Sequence, residues 1–248
     1  MKLTVIGCSG SVPGPDSPAS SYLVEADGFR VLLDLGNGAL GVLQRHADLT
    51  SIDGVMLSHL HADHCLDLCP MFVALRYGPG NRRDQRIPVW GPLGTEERMA
   101  LAYGAPEEPG MSQQFDYRKL ADTVEAGPFQ VRAVTVDHPV PAYAIRLEHA
   151  GRVLAYSGDT GPTPALVDVA SGADVFICEA ALSDDEEHPP GLHLTGREAG
   201  ETARAAGVGR LVITHVPPWH DVATTVKAAG TAYEGPVTAA RSGLVLDV

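Results

Sequence analysis

"SHLHADHCLD" (Ser58–Asp67) sets His59, His61, Asp63 and His64 within six consecutive positions of a chain that holds ten histidines in all. Neutral imidazole and carboxylate suit a borderline divalent ion such as Zn²⁺. In extended backbone, residues two apart point to the same side, so His59 and His61 can share one ion. Where the chain turns into a helix, Asp63 and His64 face elsewhere and can reach a second. The spacing predicts two metals, and one loop cannot supply ligands for both. The further candidates are His138 in "VTVDHPV", Asp159 in "AYSGDTG" and His215 in "LVITHVPP". Each follows an apolar strand and precedes a turn with Gly or Pro, where α/β folds gather their active-site residues. Asp159, with two oxygens, can bridge two ions.

Outward from this stretch, short apolar runs alternate with helical patterns. Strands are predicted at 2–7, 20–26, 30–35, 53–58, 87–91, 129–137, 142–149, 152–157, 173–178, 210–214 and 244–248. Helices are predicted at 38–47, 66–78, from Thr95, and at 163–171, 195–206 and 221–229. Residues 104–118, polar and rich in Pro and Gly, read as a loop. No linker, repeat or low-complexity tract divides the chain. One α/β domain over residues 1–248 with mixed sheets is the expectation.

Composition narrows the function classes. A hydrophobic fraction of 44% and 20% charged residues are ordinary for a globular chain. No run approaches the ~18 apolar residues that span a bilayer. "MKLTVIGC" has too few apolar residues for a signal-peptide core, so a cytoplasmic location without membrane contact is expected. Cys8, Cys65, Cys69 and Cys178 form no CxxC pair and read as buried free thiols, Cys65 and Cys69 lying four apart on a predicted helix face. A net charge of −13 repels nucleic acid, and the densest basic run, "NRRDQR" (Asn81–Arg86), reads as a solvated loop.

The order HxHxDH, strand-end His138, the aspartate of "SGDT" and strand-end His215 resembles the metallo-β-lactamase superfamily of hydrolases. The likeness runs from "TVIGCSGS" to "ITHVPP". It implies an αββα sandwich, two mixed sheets flanked by helices, with a dinuclear site on its upper edge. It also implies a ligand set: His59, His61 and His138 for one ion, Asp63, His64 and His215 for the other, and Asp159 between them. Two divalent ions per chain are expected, Zn²⁺ by default, with Mn²⁺ or Fe as alternatives. Asp34 in "LLDLGNG" matches a common superfamily aspartate and reads as support for a ligand rather than as one. True β-lactamases usually carry cysteine where this chain has Asp159, whereas hydroxyacylglutathione and lactone hydrolases share the aspartate.

"HLT" before the helix at 195–206, after a strand ending in Glu179, resembles the phosphodiesterase branch that includes ribonuclease Z. There the histidine matching His193 helps to stabilise or protonate the departing oxygen. Those enzymes insert a long tRNA-gripping arm between the residues matching His138 and Asp159. Here 21 positions separate the two, nearly all filled by predicted strands. The missing arm and the negative charge argue against a bulky RNA substrate.

The compact chain resembles atypical class II cyclic nucleotide phosphodiesterases, through "GCSGSVPGPDSPASSYL", "LSHLHADHCLDL", "YSGDTG", "HPPGLHLTG" and "THVPPW". The resemblance implies two-metal hydrolysis of a small phosphodiester, 3′,5′-cyclic AMP foremost. Asp63 would orient the nucleophile or accept its proton, and His193 would assist the leaving group. The alternatives are an armless RNA 3′-processing nuclease and an ester, thioester or lactone hydrolase. Relatives are often dimers, which leaves a homodimer open. Asp67, where a glycine is usual, Glu179 and the turn Gly7–Gly14 have no assigned role, and His46, His149, His188 and His220 read as surface residues.

Overall fold

Along β11 (Val175–Glu179), Val175 and Ile177 face one side and Phe176 and Cys178 the other, and all four are buried. A strand apolar on both faces needs cover on both, and the fold supplies it. The computed structural model describes residues 1–79, 86–106 and 108–248. All but Arg86 of the arginine-rich run lies outside the described residues.

The remaining strands are β1 (Lys2–Gly7), β2 (Ser21–Ala26), β3 (Phe29–Leu33), β4 (Gly54–Met56), β5 (Ile87–Gly91), β6 (Phe115–Lys119) and β7 (Thr123–Ala126). They continue with β8 (Phe129–Thr135), β9 (Tyr143–His149), β10 (Arg152–Tyr156), β12 (Leu211–Thr214), β13 (Val237–Ala239) and β14 (Val245–Asp247). The helices are α1 (Ala39–Leu43), α2 (Ala62–Cys65), α3 (Leu68–Tyr77), α4 (Thr95–Tyr103), α5 (Pro164–Ala170), α6 (Gly196–Ala206) and α7 (Val222–Ala232).

Two sheets of seven described strands result, ordered β14-β1-β2-β3-β4-β5-β6 and β13-β12-β11-β10-β9-β8-β7. Both are mixed. In the first, β14, β1, β2 and β3 pair antiparallel and β3 to β6 parallel. In the second, β7 to β10 pair antiparallel and β10 to β13 parallel.

The side-chain period of two sorts the apolar residues into layers. Val5, Tyr22, Val31, Leu33 and Met56 of the first sheet meet Phe129, Ile145, Leu147, Tyr156 and Ile177 of the second in the central layer. On the outer face of the first sheet, Ile6, Leu32 and Val55 pack against Leu43 of α1 and Met71, Phe72 and Leu75 of α3. On the other outer face, Phe176 and Ile213 pack under Leu166 of α5, Ala203 of α6 and Ala229 of α7. Each fully buried Leu, Ile or Phe contributes roughly 1.5–3 kcal/mol. The αββα sandwich expected from the sequence is the observed fold.

Differences from the expected elements are local. The segment 104–118 ends in a strand, β6, and β7 and β13 appear where no strand was expected. α1 covers five residues, and a turn completes the segment to Ala47. α2 ends at Cys65 and α3 starts at Leu68, so Cys65 and Cys69 do not share one helix. All four cysteines are free, Cys65 and Cys178 buried and Cys8 and Cys69 half-buried. No helix among the described residues is long and apolar enough to cross a membrane.

Candidate metal centre

The chemistry-bearing side chains sit where strands stop. Asp34 follows β3, His59 β4, His138 β8, Asp159 β10 and His215 β12, while Glu179 is the last residue of β11. Asp34 and His215 hold left-handed backbone, with φ of 58° and 57°. Non-glycine residues rarely adopt that region, and it turns both side chains sharply off their strands.

Three groups converge, each with its ligand atoms within 4.8 Å of one another: His59, His61 and His138; Asp63, His64, Asp159 and His215; and Asp159, Glu179 and His193. In the first group, His61 Nδ1 lies 3.0 Å from His59 Nε2 and 3.1 Å from His138 Nε2. In the second, Asp159 Oδ2 lies 3.2 Å from both His64 Nε2 and His215 Nε2. Asp63 Oδ2 stands 3.5 Å from His64 Nε2 and 3.7 Å from His215 Nε2. Donor atoms sharing a tetrahedral ion at ~2.1 Å stand about 3.4 Å apart, so both groups fit an ion. Asp159 Oδ2 is also 3.7 Å from His59 Nε2, within reach of either group.

Of five buried side-chain atoms without a hydrogen-bond partner among the described residues, two, His64 Nε2 and Asp159 Oδ1, lie in this centre. Buried polar atoms are otherwise almost always satisfied, and ion coordination would satisfy both.

Four histidines are held at Nδ1 with Nε2 turned inward. His64 Nδ1 donates to Asp34 Oδ2 at 2.7 Å and His138 Nδ1 to the Leu192 carbonyl at 2.9 Å. Ser58 Oγ lies 3.1 Å from His59 Nδ1, and Ser20 Oγ 2.9 Å from His215 Nδ1. Such partners fix ring orientation and tautomer, as around known metal-ligating histidines. Asp34 also accepts from the Ser58 N–H, the Ser58 hydroxyl and the Tyr156 hydroxyl, each at 2.7 Å. It supports His64, as expected.

Electrostatics prepare the donors. Burial, reinforced by the neighbouring His64, keeps His59 well below the usual histidine range, and burial likewise lowers His138 and His215. Neutral rings keep the lone pairs that ligation needs. Burial alone would raise Asp159, but His215, His64 and His59 hold it well below the ordinary carboxylate range. Burial opposes charge on His64 too, yet Asp159 and Asp34 push it well above its usual value.

Glu179, which the sequence left without a role, belongs to the third group. Its Oε1 accepts from His193 Nδ1 and from the Thr160 N–H, both at 2.8 Å. Its Oε2 accepts from the N–H groups of Ala181 and Leu194, at 3.1 and 3.3 Å. An acid ending the otherwise apolar strand "VFICE" was the available signal. His193 Nδ1 lies 3.9 Å from Asp159 Oδ2, beside the second group. Burial works against its charge, but Glu179 outweighs burial and raises His193 to about 9. Thr195 and Glu198, a reciprocal capping box at the start of α6, fix the backbone that follows it.

Asp67 stays outside the centre. Its Oδ2 accepts the Leu40 N–H at 2.8 Å, in the first turn of α1, and burial pushes its carboxyl up. Among the other histidines, His46 is exposed, while His149, His188 and His220 are half-buried and outside all three groups.

The family described as Beta-lactamase superfamily domain matches residues 29–216. The Mycobacterium leprae protein ML1173 is 45% identical over 100% of this chain and 89% of its own length. "Probable metallo-hydrolase YhfI" of Bacillus subtilis is 30% identical, with 99% of each chain covered. The YhfI crystal structure superposes with a TM-score of 0.89 at 28% identity, over 99% of each chain. Ribonuclease Z of Myxococcus xanthus is 29% identical over 100% of this chain and 98% of its own. In fold, strand-end histidines and aspartates, and family match, the chain belongs to the metallo-β-lactamase superfamily, among its metallo-hydrolases.

Proposed function

We propose that this metallo-hydrolase is a dinuclear phosphodiesterase that opens a small phosphodiester, 3′,5′-cyclic AMP foremost, to the 5′-nucleotide. The observation that carries the reading is His193, bound to Glu179 at 2.8 Å beside Asp159. The alkoxide leaving a phosphodiester needs a proton, and a histidine raised to about 9 holds one at neutral pH. Its Nδ1 is taken by Glu179, which leaves Nε2 to face the substrate.

In this reading His59, His61 and His138 hold one ion and Asp63, His64 and His215 the other, with Asp159 between. When bound, two divalent ions supply Lewis-acid charge and activate water. Zn²⁺ suits the nitrogen and oxygen donors, and Mn²⁺ or Fe are the alternatives. Asp63 is drawn below the usual carboxylate range, since His64 outweighs its burial. It is therefore in the form that accepts the nucleophile's proton, while His193 donates to O3′.

The relative named ribonuclease Z supports phosphodiester chemistry and makes RNA processing the second reading. Against it, the β9–β10 hairpin fills the place of an arm, and a net charge of −13 repels a polyanion. The test is a panel on metal-defined protein: cyclic AMP, cyclic GMP, 2′,3′-cyclic nucleotides, a precursor tRNA and a lactone. The expected result is 5′-AMP from cyclic AMP, abolished by His64→Ala, with little tRNA cleavage. Intact cyclic AMP after long incubation with metal-replete protein overturns the reading, and lactone opening alone would establish the ester-hydrolase alternative.

A further inference from the structure

The turn after β1 has almost every backbone donor committed. The N–H groups of Cys8 and Ser9 go to the Pro18 carbonyl, Gly10 to Val216, Val12 to Gly10 and Gly14 to Ser17. Ser11 is different: its N–H is aimed at a side-chain nitrogen, His215 Nε2, at the long distance of 3.4 Å. The geometry is enforced. Ser11 holds left-handed backbone, φ 62°, and Gly10 is pressed so close to His215 that a Cβ there would stand 2.1 Å from its carbonyl oxygen. The His215 ring cannot swing away, because Nδ1 is held by Ser20 Oγ at 2.9 Å.

A neutral imidazole has one lone pair. On the reading above, on which this inference rests, an ion takes the Nε2 lone pair of His215, and the Ser11 N–H loses its acceptor. Ser11 itself is exposed and only this contact is part-buried, so the N–H then turns to water or to a bound ligand. The Cys8 and Gly10 carbonyls of the turn already accept from His215 and Val12, whereas the substrate brings negatively charged oxygens to the metal edge that this N–H faces.

We propose that the Ser11 backbone N–H donates to an anionic oxygen of the substrate, of the phosphoryl class, at the His215 side of the centre. It is a fixed donor that needs no reorganisation when charge builds on that oxygen. The side-chain hydroxyl is not required; the left-handed turn and the free N–H are.

The experiment uses the full chain labelled with ¹⁵N-serine, the Ser11 amide being the cross-peak that disappears in Ser11→Gly. Inorganic phosphate is titrated into Zn²⁺-loaded and metal-stripped protein, with calorimetry on the same samples. The expected result is a Ser11 shift on zinc loading, then a saturable downfield shift with phosphate whose midpoint matches the calorimetric one. Metal-stripped protein should show no phosphate-dependent shift at Ser11. Phosphate binding with Ser11 unmoved overturns the proposal, as does an equal shift without zinc or no phosphate binding at all. Cyclic AMP hydrolysis with an unmoved Ser11 keeps the phosphodiesterase and removes the donor. A responding Ser11 with uncleaved cyclic AMP keeps the donor and removes that substrate.

Discussion

Glu179 is fully buried, and its two oxygens accept three backbone N–H groups as well as His193. Replacing it by Gln keeps the size and removes the charge that sustains the His193 proton. In the proposed reaction His193 serves as an acid, so its contribution would be complete below its pKa and lost as pH rises through it. In the parent chain that value is raised to about 9. In Glu179→Gln it falls toward the ordinary ~6.5, and the alkaline limb of kcat moves to lower pH. A pH–rate profile checks this, with metal content unchanged as the control, and His193→Ala should cost about 100-fold in kcat. The seven ligand candidates were legible in the sequence, four from the spacing of HxHxDH and three because each follows an apolar run. Their supports were not: Ser20 and His215 are 195 positions apart, and Tyr156 and Asp34 are 122 apart. Only the folded sheets bring such pairs together.

At the scale of elements, Asp67 ties two loops to one helix. Its carboxylate accepts the Leu40 N–H of α1, its own N–H goes to Leu35, and the Leu35 N–H goes to His64. The chain after β3 is thus laid along the chain after β4, where the histidine motif begins. Asp67→Ala leaves a buried N–H without its partner and should cost about 1–3 kcal/mol in urea unfolding. Asp67→Asn keeps an acceptor and removes a charge that burial disfavours, so it should stay close to the parent. The strands missing from the sequence reading share one property: β6, β7 and β13 are all sheet edges. An edge strand is covered on fewer sides, so "FDYRK" and "TVEA" are exposed or half-buried at most positions, and each is short with only two apolar residues to signal it. Inner strands such as β11 and β12 are buried throughout, and their composition announces them.

At the scale of the whole molecule, the two ligand groups join the two sheets. His59, His61, Asp63 and His64 follow β4 of the first sheet, while His138, Asp159 and His215 follow β8, β10 and β12 of the second. Each group takes donors from both sides of the central layer. An ion bound only by the folded chain adds stability by mass action, about 2.7 kcal/mol at a hundredfold excess over its Kd. The unfolding midpoint should therefore climb with free Zn²⁺ in chelator-buffered solution, and His138→Ala and His215→Ala should each flatten that dependence. Scanning calorimetry at several fixed zinc levels measures both. Ions held there would rivet one sheet to the other, and the melting curve would become a gauge of the metal supply around the protein. A chain starved of metal would then offer itself to proteases sooner, and its lifetime would follow the same supply as the proposed chemistry.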